Sequence, residues 1–576
     1  MKTSRWTILE TDADLKLMSQ VLGISQITAN VMANRGIRTK KTAQGFLMPT
    51  MDKMHDISTM KGVDATLALI SEAVRSGTKI TIYGDYDVDG IMSTVILYNV
   101  LRHAGADVDF YIPHRIEEGY GLNTAAIKQL HEAGTELIIA VDNGISAIDE
   151  IAEANNLGMK VIIIDHHEPG FTQTEDARVD ILPAAAAIID PKQADCPYPF
   201  KELCAAGLCY KLAVEILKTT PGPHDELLAL AAIATICDIV NLQDENRIIV
   251  REGLARLNEN KLLNPGLGSL ITMRNYLDKP IDTFSVGYIV GPCLNATGRL
   301  GSAGQSVALL LAKDADERIR LAGELCTLND ARKELTAECV NRAVESLTPP
   351  LDKVLVLTDI TAHESVAGIV AGRIKDATGR PTILLTQGSG AMKGSGRSIE
   401  GYNLFEALYA NRHLFTRFGG HPMAAGLSLI QENIPLLREA LNASCTLSED
   451  DFAPIYKIDR ELLPQEINLS LSEELKLLAP FGKGNHDPLF VSRKLYVESC
   501  RVINDKNTLI FTFNTKSGKL KGIAFGLNDG YASAVHEAGV QLHGGFYMDA
   551  IYAVETNVYN GVSSVQMRLR DFKLFK

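Results

Sequence analysis

Apolar and polar positions along the chain fall into three textures. Over 1–75 the apolar positions recur at helical spacing on a polar background, with turn signals at Gly23, Gly36 and Pro49. This predicts a helical cap leading into a first domain. From Lys79 onward, short apolar runs alternate with helical periods. Lys79–Tyr83, Val108–Ile112, Glu136–Val141 and Lys160–Ile164 read as strands, Ile91–His103 and Asn123–Glu132 as helices, and Ala185–Ile189 is a candidate further strand. Repeated βα units of this length predict a parallel sheet with helices on both faces. From Leu203 to about Asn260 the pattern is helical, and 227–240 is apolar nearly all round. Gly291–Leu300, rich in glycine, reads as a loop. Ala315–Leu347 has the pattern of a long charged amphipathic helix, stopped by Pro349-Pro350. A second α/β block follows, with strand Lys353–Leu357, helix Glu364–Ala377 and strand Pro381–Leu385. Beyond Tyr456 short β-rich runs spaced by turns predict a small barrel, for which an OB-fold is one candidate.

The length of 576 residues exceeds what one core supports. The expected division is a helical cap (1–75), an α/β domain (76–314), a connecting helix (315–348), a smaller α/β domain (349–452) and a β-barrel domain (453–576). The most apolar stretch, Leu227–Cys237, is too short to span a bilayer and is interrupted by Thr235. The opening Met1-Lys-Thr-Ser-Arg-Trp-Thr has no apolar secretory segment. The nine cysteines include no CxxC pair, which suits reduced thiols. A cytoplasmic protein without a membrane partner is therefore expected. A formal charge of −13 does not advertise a nucleic-acid partner. The charge is uneven, however: residues 451–576 carry 15 Lys and Arg against 14 Asp and Glu. A polyanion would have to bind through local basic patches or through metals.

Chemistry gathers at the ends of the strands. Val161-Ile-Ile-Ile runs straight into Asp165, His166 and His167. Such a run suits a buried parallel strand, and ligands collect at the carboxyl ends of these strands. On these three residues alone, an ordinary strand end with a capping Asp and two surface histidines is the favoured reading. Three further segments change the balance. Tyr83-Gly-Asp-Tyr-Asp-Val-Asp-Gly90 sets Asp85, Asp87 and Asp89 at alternate positions between a strand and a helix. These carboxylates repel one another unless a cation is present. The strand on one side argues against an EF-hand loop. Val141-Asp142-Asn-Gly places another acid after a strand, and Asp238 lies in a very apolar helix, where it is either a terminal cap or a group needing a cation. Mixed carboxylate and imidazole donors suit Mn²⁺ or Mg²⁺ better than structural zinc, and enough are present for two ions. A pair of ions favours in-line displacement at phosphorus.

These four segments, in this order, resemble the motifs of the DHH phosphoesterase superfamily, and within it those of the single-stranded-DNA-specific exonucleases. The resemblance runs nearly the whole chain, through Ala33-Asn-Arg-Gly36, Ile112-Pro-His-Arg115 with Glu118-Gly-Tyr-Gly-Leu-Asn123, Leu294-Asn-Ala-Thr-Gly-Arg-Leu300, His363 with Gly368-Ile-Val-Ala371, Ser395-Gly-Arg-Ser398, Gly419-Gly-His421 and Pro480-Phe-Gly-Lys-Gly-Asn485. It implies a parallel-sheet DHH domain, a long connecting helix, a smaller α/β DHH-associated domain and a C-terminal OB-like barrel. It also implies hydrolysis of single-stranded DNA from the 5′ end to mononucleotides, with Mn²⁺ or Mg²⁺. A single-strand-binding protein and a helicase are the protein partners it suggests. By motif, Asp87, Asp89, Asp142, His166 and Asp238 would be metal ligands. Asp85, Asp165 and His167 would serve the reaction as ligands, supporting groups or proton donor. Arg115, Asn295, Arg299, His363, Ser395, Arg397, Ser398 and His421 would contact DNA. Guanidinium forks and glycine-exposed N–H groups suit phosphate oxygens. Arg373 reads as a surface charge. Tyr496, Phe511 and Phe513 either stack bases or pack the barrel core. The chain departs from the family at Cys293, where Arg is common, in the helix after His363, and after Asn485. The competing expectations are a DHH phosphoesterase for short oligonucleotides or cyclic dinucleotides, and a non-catalytic nucleic-acid-binding scaffold.

Overall fold

The computed structural model describes residues 4–173, 178–218, 222–388, 390–503, 507–516 and 518–576. Five short apolar runs form an all-parallel sheet: β1 (Ile80–Tyr83), β2 (Val108–Tyr111), β3 (Leu137–Val141), β4 (Lys160–Ile164) and β5 (Ala187–Ile189). Its strand order is β2-β1-β3-β4-β5. β1 and β3 are buried along their whole length, as continuous apolar runs in a covered parallel sheet must be. Helices α1 (Val88–His103), α2 (Thr124–Glu132) and α3 (Ile148–Asn156) follow β1, β2 and β3. The order reverses between β1 and β3, and at that switch point the loops after the two strands part and leave a crevice.

Two further helices, α4 (Ala205–Ile216) and α5 (His224–Cys237), pack on α1. Every residue of α5 from Leu227 to Thr235 is buried, which explains its lack of a polar face. Next come α6 (Pro265–Met273) and α7 (Gly291–Leu300). The expectation of a loop at Gly291–Leu300 is corrected, because these residues are helical. A glycine here answers to packing rather than to a turn: a Cβ on Gly298 would lie 2.4 Å from the Tyr86 carbonyl oxygen. Helix α8 (Ala315–Glu345) starts on Asp314, whose side chain accepts from the Glu317 N–H, and packs along α6 and α7. The second sheet contains β6 (Leu355–Thr358), β7 (Thr382–Gln387), β8 (Met392–Arg397), β9 (Phe415–His421) and β10 (Ala424–Leu429) in the order β9-β10-β8-β7-β6. Only β6 and β7 pair in parallel. Helix α9 (Glu364–Thr378) joins β6 to β7. All of these elements belong to one unit, residues 55–240 and 252–452.

The other unit comprises residues 1–54, 241–251 and 453–576. Strands β11 (Phe490–Ile503), β12 (Thr508–Thr515), β13 (Gly518–Phe525), β14 (Phe546–Tyr559) and β15 (Val562–Phe575) close into a barrel, with β14 pairing both β15 and β11. The leading segment differs from the expected cap of the first domain. Residues 1–54 share a core with the barrel, Met18, Met32 and Phe46 clustering with Leu475, Phe490 and Tyr552. The strand Arg5–Ile8 pairs in parallel with Ile455–Ile458. The short amphipathic helices of this segment have apolar faces that need a partner, and the barrel supplies it. Arg247 is buried in this unit with its guanidinium against the Phe46 ring, donating to the carbonyls of Phe46 and Ala479. Phe511 and Phe513 are fully buried, so packing rather than base stacking is their role. Among the described residues no helix is long and apolar enough to cross a membrane.

Candidate metal centre

Acids and imidazoles from four segments meet in the crevice at the carboxyl ends of β1, β3 and β4. Asp87 caps α1, accepting from the N–H groups of Asp89 and Gly90 through one carboxylate oxygen. Gly90 is required there, since a Cβ would lie 2.5 Å from the Asp85 nitrogen. Asp89, one residue into the helix, is pinned by the N-terminus of α4: the N–H groups of Ala205 and Ala206 donate to its two oxygens, each at 2.8 Å. Asp142 ends β3 with φ 61, left-handed backbone that a non-glycine residue adopts only under constraint. Asp238 caps the C-terminus of α5.

His166 is the hub. Its Nε2 lies 3.2 Å from Asp142, 3.6 Å from Asp89 and 3.7 Å from Asp238. Three donor groups have ligand atoms within 4.8 Å of one another: Asp142, His166 and His167; Asp89, His166 and Asp238; Asp85, Asp87 and Asp142. Asp165 stands behind them. Its oxygens accept from the N–H groups of Ile145, His166 and His167 and from the His167 ring at 2.7 Å. Its lone pairs are thus committed to the protein, and it holds His167 in place. Burial would raise the Asp165 carboxyl, but the His167 hydrogen bond and charge overcome it and hold the group down at about 2. For His167, burial favours the neutral ring; the Asp165 bond outweighs this and lifts the imidazole to about 9.

Four other acids, Asp85, Asp89, Asp142 and Asp238, behave in the opposite way. Burial first, and then Asp87, pushes Asp85 well up and Asp89 to about 6. Asp142 is raised by burial and by Asp89, and Asp238 reaches about 8 through burial and Asp89. Buried oxygens on Asp85 and Asp238 have no hydrogen-bond partner. Mutually repelling carboxylates with unspent lone pairs, drawn around one imidazole, are the donor set that a hard divalent cation satisfies.

A cationic group flanks these acids. The Arg115 guanidinium stacks 4.8 Å from the centroid of the Tyr86 ring. Arg299, on α7, donates to the Ser365 carbonyl at 2.7 Å. Arg397, at the end of β8, donates to Ser395 Oγ at 3.2 Å. Burial, then Arg115, Arg332 and Arg397, pulls Arg299 down to about 10, and Arg397 is lowered by burial and by Arg115. The guanidiniums therefore sit close enough to repel one another, which an anion would relieve. Asn295 is half-buried on α7, one turn before Arg299. His363 caps α9, its Nδ1 2.6 Å from Ser365 Oγ. Ser398 is buried, and its hydroxyl donates to the Tyr402 carbonyl, so it is not free for a ligand. His421 is exposed at the end of β9, opposite Ala424.

Sequence reasoning passed over two neighbours. The Tyr120 hydroxyl donates to the Asp142 carbonyl at 3.2 Å and lies 3.4 Å from His167 Nε2. Asp190 follows β5 and is pushed up to about 8, by burial first and then by Asp165. Its signal was present, since Ala187-Ile-Ile-Asp190 repeats the pattern of an apolar run ending in an acid.

Three family models match the chain: "DHH family, N-terminal domain" over residues 79–235, "DHHA1 domain" over 351–446 and "RecJ OB domain" over 458–571. The single-stranded-DNA-specific exonuclease RecJ of Escherichia coli is 32% identical over 562 residues, covering 93% of this chain and 93% of that protein. This chain belongs to the RecJ family. The RecJ protein of Bacillus subtilis is 39% identical over 529 residues, which span 90% of this chain and 66% of that protein. Among solved structures, RecJ of Thermus thermophilus in complex with Mn²⁺ superposes with a TM-score of 0.82 at 28% identity, covering 99% of this chain and 79% of that one. Its complex with Mg²⁺ gives 0.77 at 27% identity, covering 99% and 78%. The donor set found here fits either ion.

Proposed function

We propose that this single-stranded-DNA-specific exonuclease works from the 5′ end, releasing mononucleotides with two divalent ions, Mn²⁺ or Mg²⁺. The observation that supports this best is the junction of two opposite charge groups: buried repelling carboxylates around His166, and the mutually repelling guanidiniums of Arg115, Arg299 and Arg397. A phosphodiester carried on cations satisfies both. Asp87, Asp89, Asp142, His166 and Asp238 would hold the ions, with Asp85 completing the set. Bound there, the ions would supply an activated water and offset charge on the leaving oxygen. Asp165 orients His167 through its Nδ1, so that the other ring nitrogen faces the phosphate and can donate to it or protonate the leaving 3′ oxygen. The three arginines and Asn295 would bind phosphates and set the register, with Ser395 steadying Arg397. A single-strand-binding protein and a helicase as partners, and a cytoplasmic setting, belong to the same proposal.

Digestion of 5′- and 3′-labelled single-stranded oligonucleotides tests it. The 5′ label is expected in mononucleotide from the earliest times with Mn²⁺ or Mg²⁺, and no cleavage is expected with chelator. Early release of the 3′ label, or internal cutting, would overturn the polarity. Dinucleotides turned over as fast as long strands would favour a short-substrate phosphoesterase.

A further inference from the structure

Two cysteines meet where α7 packs on α8. Cys293 lies in the first turn of α7 and is fully buried; Cys326 lies on α8 and is half-buried. Both are free, and Arg274 reaches both residues. Arg274, which caps α6, donates from Nε to Cys293 Sγ at 3.2 Å and from Nη2 to the Cys326 carbonyl at 2.8 Å. Asn329 Nδ2 donates to Cys293 Sγ at 3.4 Å. Asn329 sits one turn beyond Cys326 on α8, so both side chains face α7. A guanidinium and an amide aimed at one sulfur favour its thiolate, against the bond that the Cys293 thiol donates to the Ile289 carbonyl at 3.2 Å. The Cys326 hydrogen bond first, and Arg274 after it, outweigh burial and bring Cys293 down to about 6, while Cys326 is driven up. Burial pushes Cys204, Cys209, Cys237, Cys339 and Cys500 the other way. The pair thus combines a buried nucleophilic sulfur with a protonated one on a half-buried residue.

We propose that Cys293 and Cys326 form a peroxide-responsive dithiol, closing to a disulfide that ties α7 to α8 and slows the nuclease. The Cys293 thiolate attacks hydrogen peroxide: the O–O bond breaks, one oxygen stays as the Cys293 sulfenic acid and the other leaves as hydroxide, which takes up a proton to become water. Cys326 then attacks Cys293 Sγ as its thiol proton is lost; the S–S bond forms, the S–O bond breaks, and hydroxide leaves and takes that proton to become water. Each sulfur gives up one electron, and both peroxide oxygens end as water. Closure removes the negative sulfur beside Arg274 and draws α7 toward α8. Asn295 and Arg299 ride on α7, and a displacement of about 1 Å in a positioning group can cost about 100-fold in rate. The effect on rate rests on the nuclease proposal, whereas formation of the disulfide does not.

The test treats the full-length reduced protein with hydrogen peroxide, blocks the remaining thiols and maps the peptides. A Cys293–Cys326 cross-link is expected, with a several-fold loss of single-strand digestion that dithiothreitol restores. C326S is expected to keep its rate through the treatment. C326S is also expected to accumulate a sulfenic acid at Cys293 that dimedone captures on denaturation, and C293S to form none at Cys326. R274Q is expected to close about twofold to threefold more slowly, as the thiolate fraction of Cys293 falls. Both cysteines recovered as free thiols from peroxide-treated wild type would overturn the dithiol. A cross-link formed with no change in rate would overturn the switch. Failure of the untreated enzyme to cut DNA would count against the nuclease proposal alone.

Discussion

Asp142 concentrates the cost of this site in one residue. Its backbone is held at φ 61, and its buried carboxylate faces those of Asp89 and Asp87. Strained backbone of this kind costs on the order of 1 kcal/mol or more, and like charges in one buried site add to it. D142N keeps a side chain that tolerates the left-handed region but removes a charge. Its nuclease rate is expected to fall to near background. In chelator its melting temperature is expected to exceed that of wild type by a few degrees, on the order of 1 kcal/mol. Added Mn²⁺ should raise the wild-type melting temperature by more than it raises that of the variant, because binding stabilises only the state that holds the ligand. A digestion assay measures the first and scanning calorimetry with and without metal the other two, and a variant less stable than wild type in chelator would contradict the account.

At the level of elements, the barrel strands separate core aromatics from exposed ones. Phe511 and Phe513 alternate along β12 and are both fully buried, stacked on each other 5.9 Å apart. Tyr496 on β11 and Tyr547 on β14 are register partners, 5.4 Å apart, with 39% and 45% of their surface exposed. F511A is expected to cost about 3–5 kcal/mol of barrel stability through the cavity it leaves. Y496A/Y547A is expected to leave stability within about 1 kcal/mol of wild type and to weaken single-strand binding by about 1–3 kcal/mol per lost stack. Chemical denaturation and fluorescence anisotropy distinguish the two outcomes. Unchanged strand affinity in the tyrosine double variant would remove these residues from the binding surface.

For the whole molecule, a net charge of −13 has to coexist with a polyanionic substrate. Binding through the local arginine group predicts that log affinity falls linearly with log salt, with a slope of about −0.7 for each phosphate engaged. With three arginines engaged, a slope of about −2 or steeper is expected in a salt titration at fixed Mn²⁺, and a flat response would point to stacking alone. The grouping of residues 1–54 with 453–576 bears on truncation. A chain ending at Phe452 leaves Met18, Ile24, Met32 and Phe46 without the barrel core that covers them. It is expected to aggregate on gel filtration, whereas a fragment of residues 55–452 is expected to stay monomeric.

Local pattern sufficed wherever the physics was local. The strand ends at Asp85, Asp142 and Asp165 were legible because a buried parallel strand is one continuous apolar run and its terminal acid breaks that run. Helix α8 was legible from its period and from the two prolines after it. Other features depended on segments distant in sequence. Strand order put the loops after β1 and β3 side by side, and with them the acids around His166. The glycines of α7 resembled turn formers until Gly298 was seen against Tyr86. The leading helices carried an apolar face with no mark of its partner, and only the fold matched it to the barrel. Ser398 stood in a motif that suits phosphate, yet its hydroxyl was already taken by Tyr402. The sequence by itself determined which positions must be buried and which bear charge, because side-chain chemistry and chain period settle both. The tertiary structure alone decided which buried face meets which and which charges become neighbours, because those energies belong to pairs of distant residues.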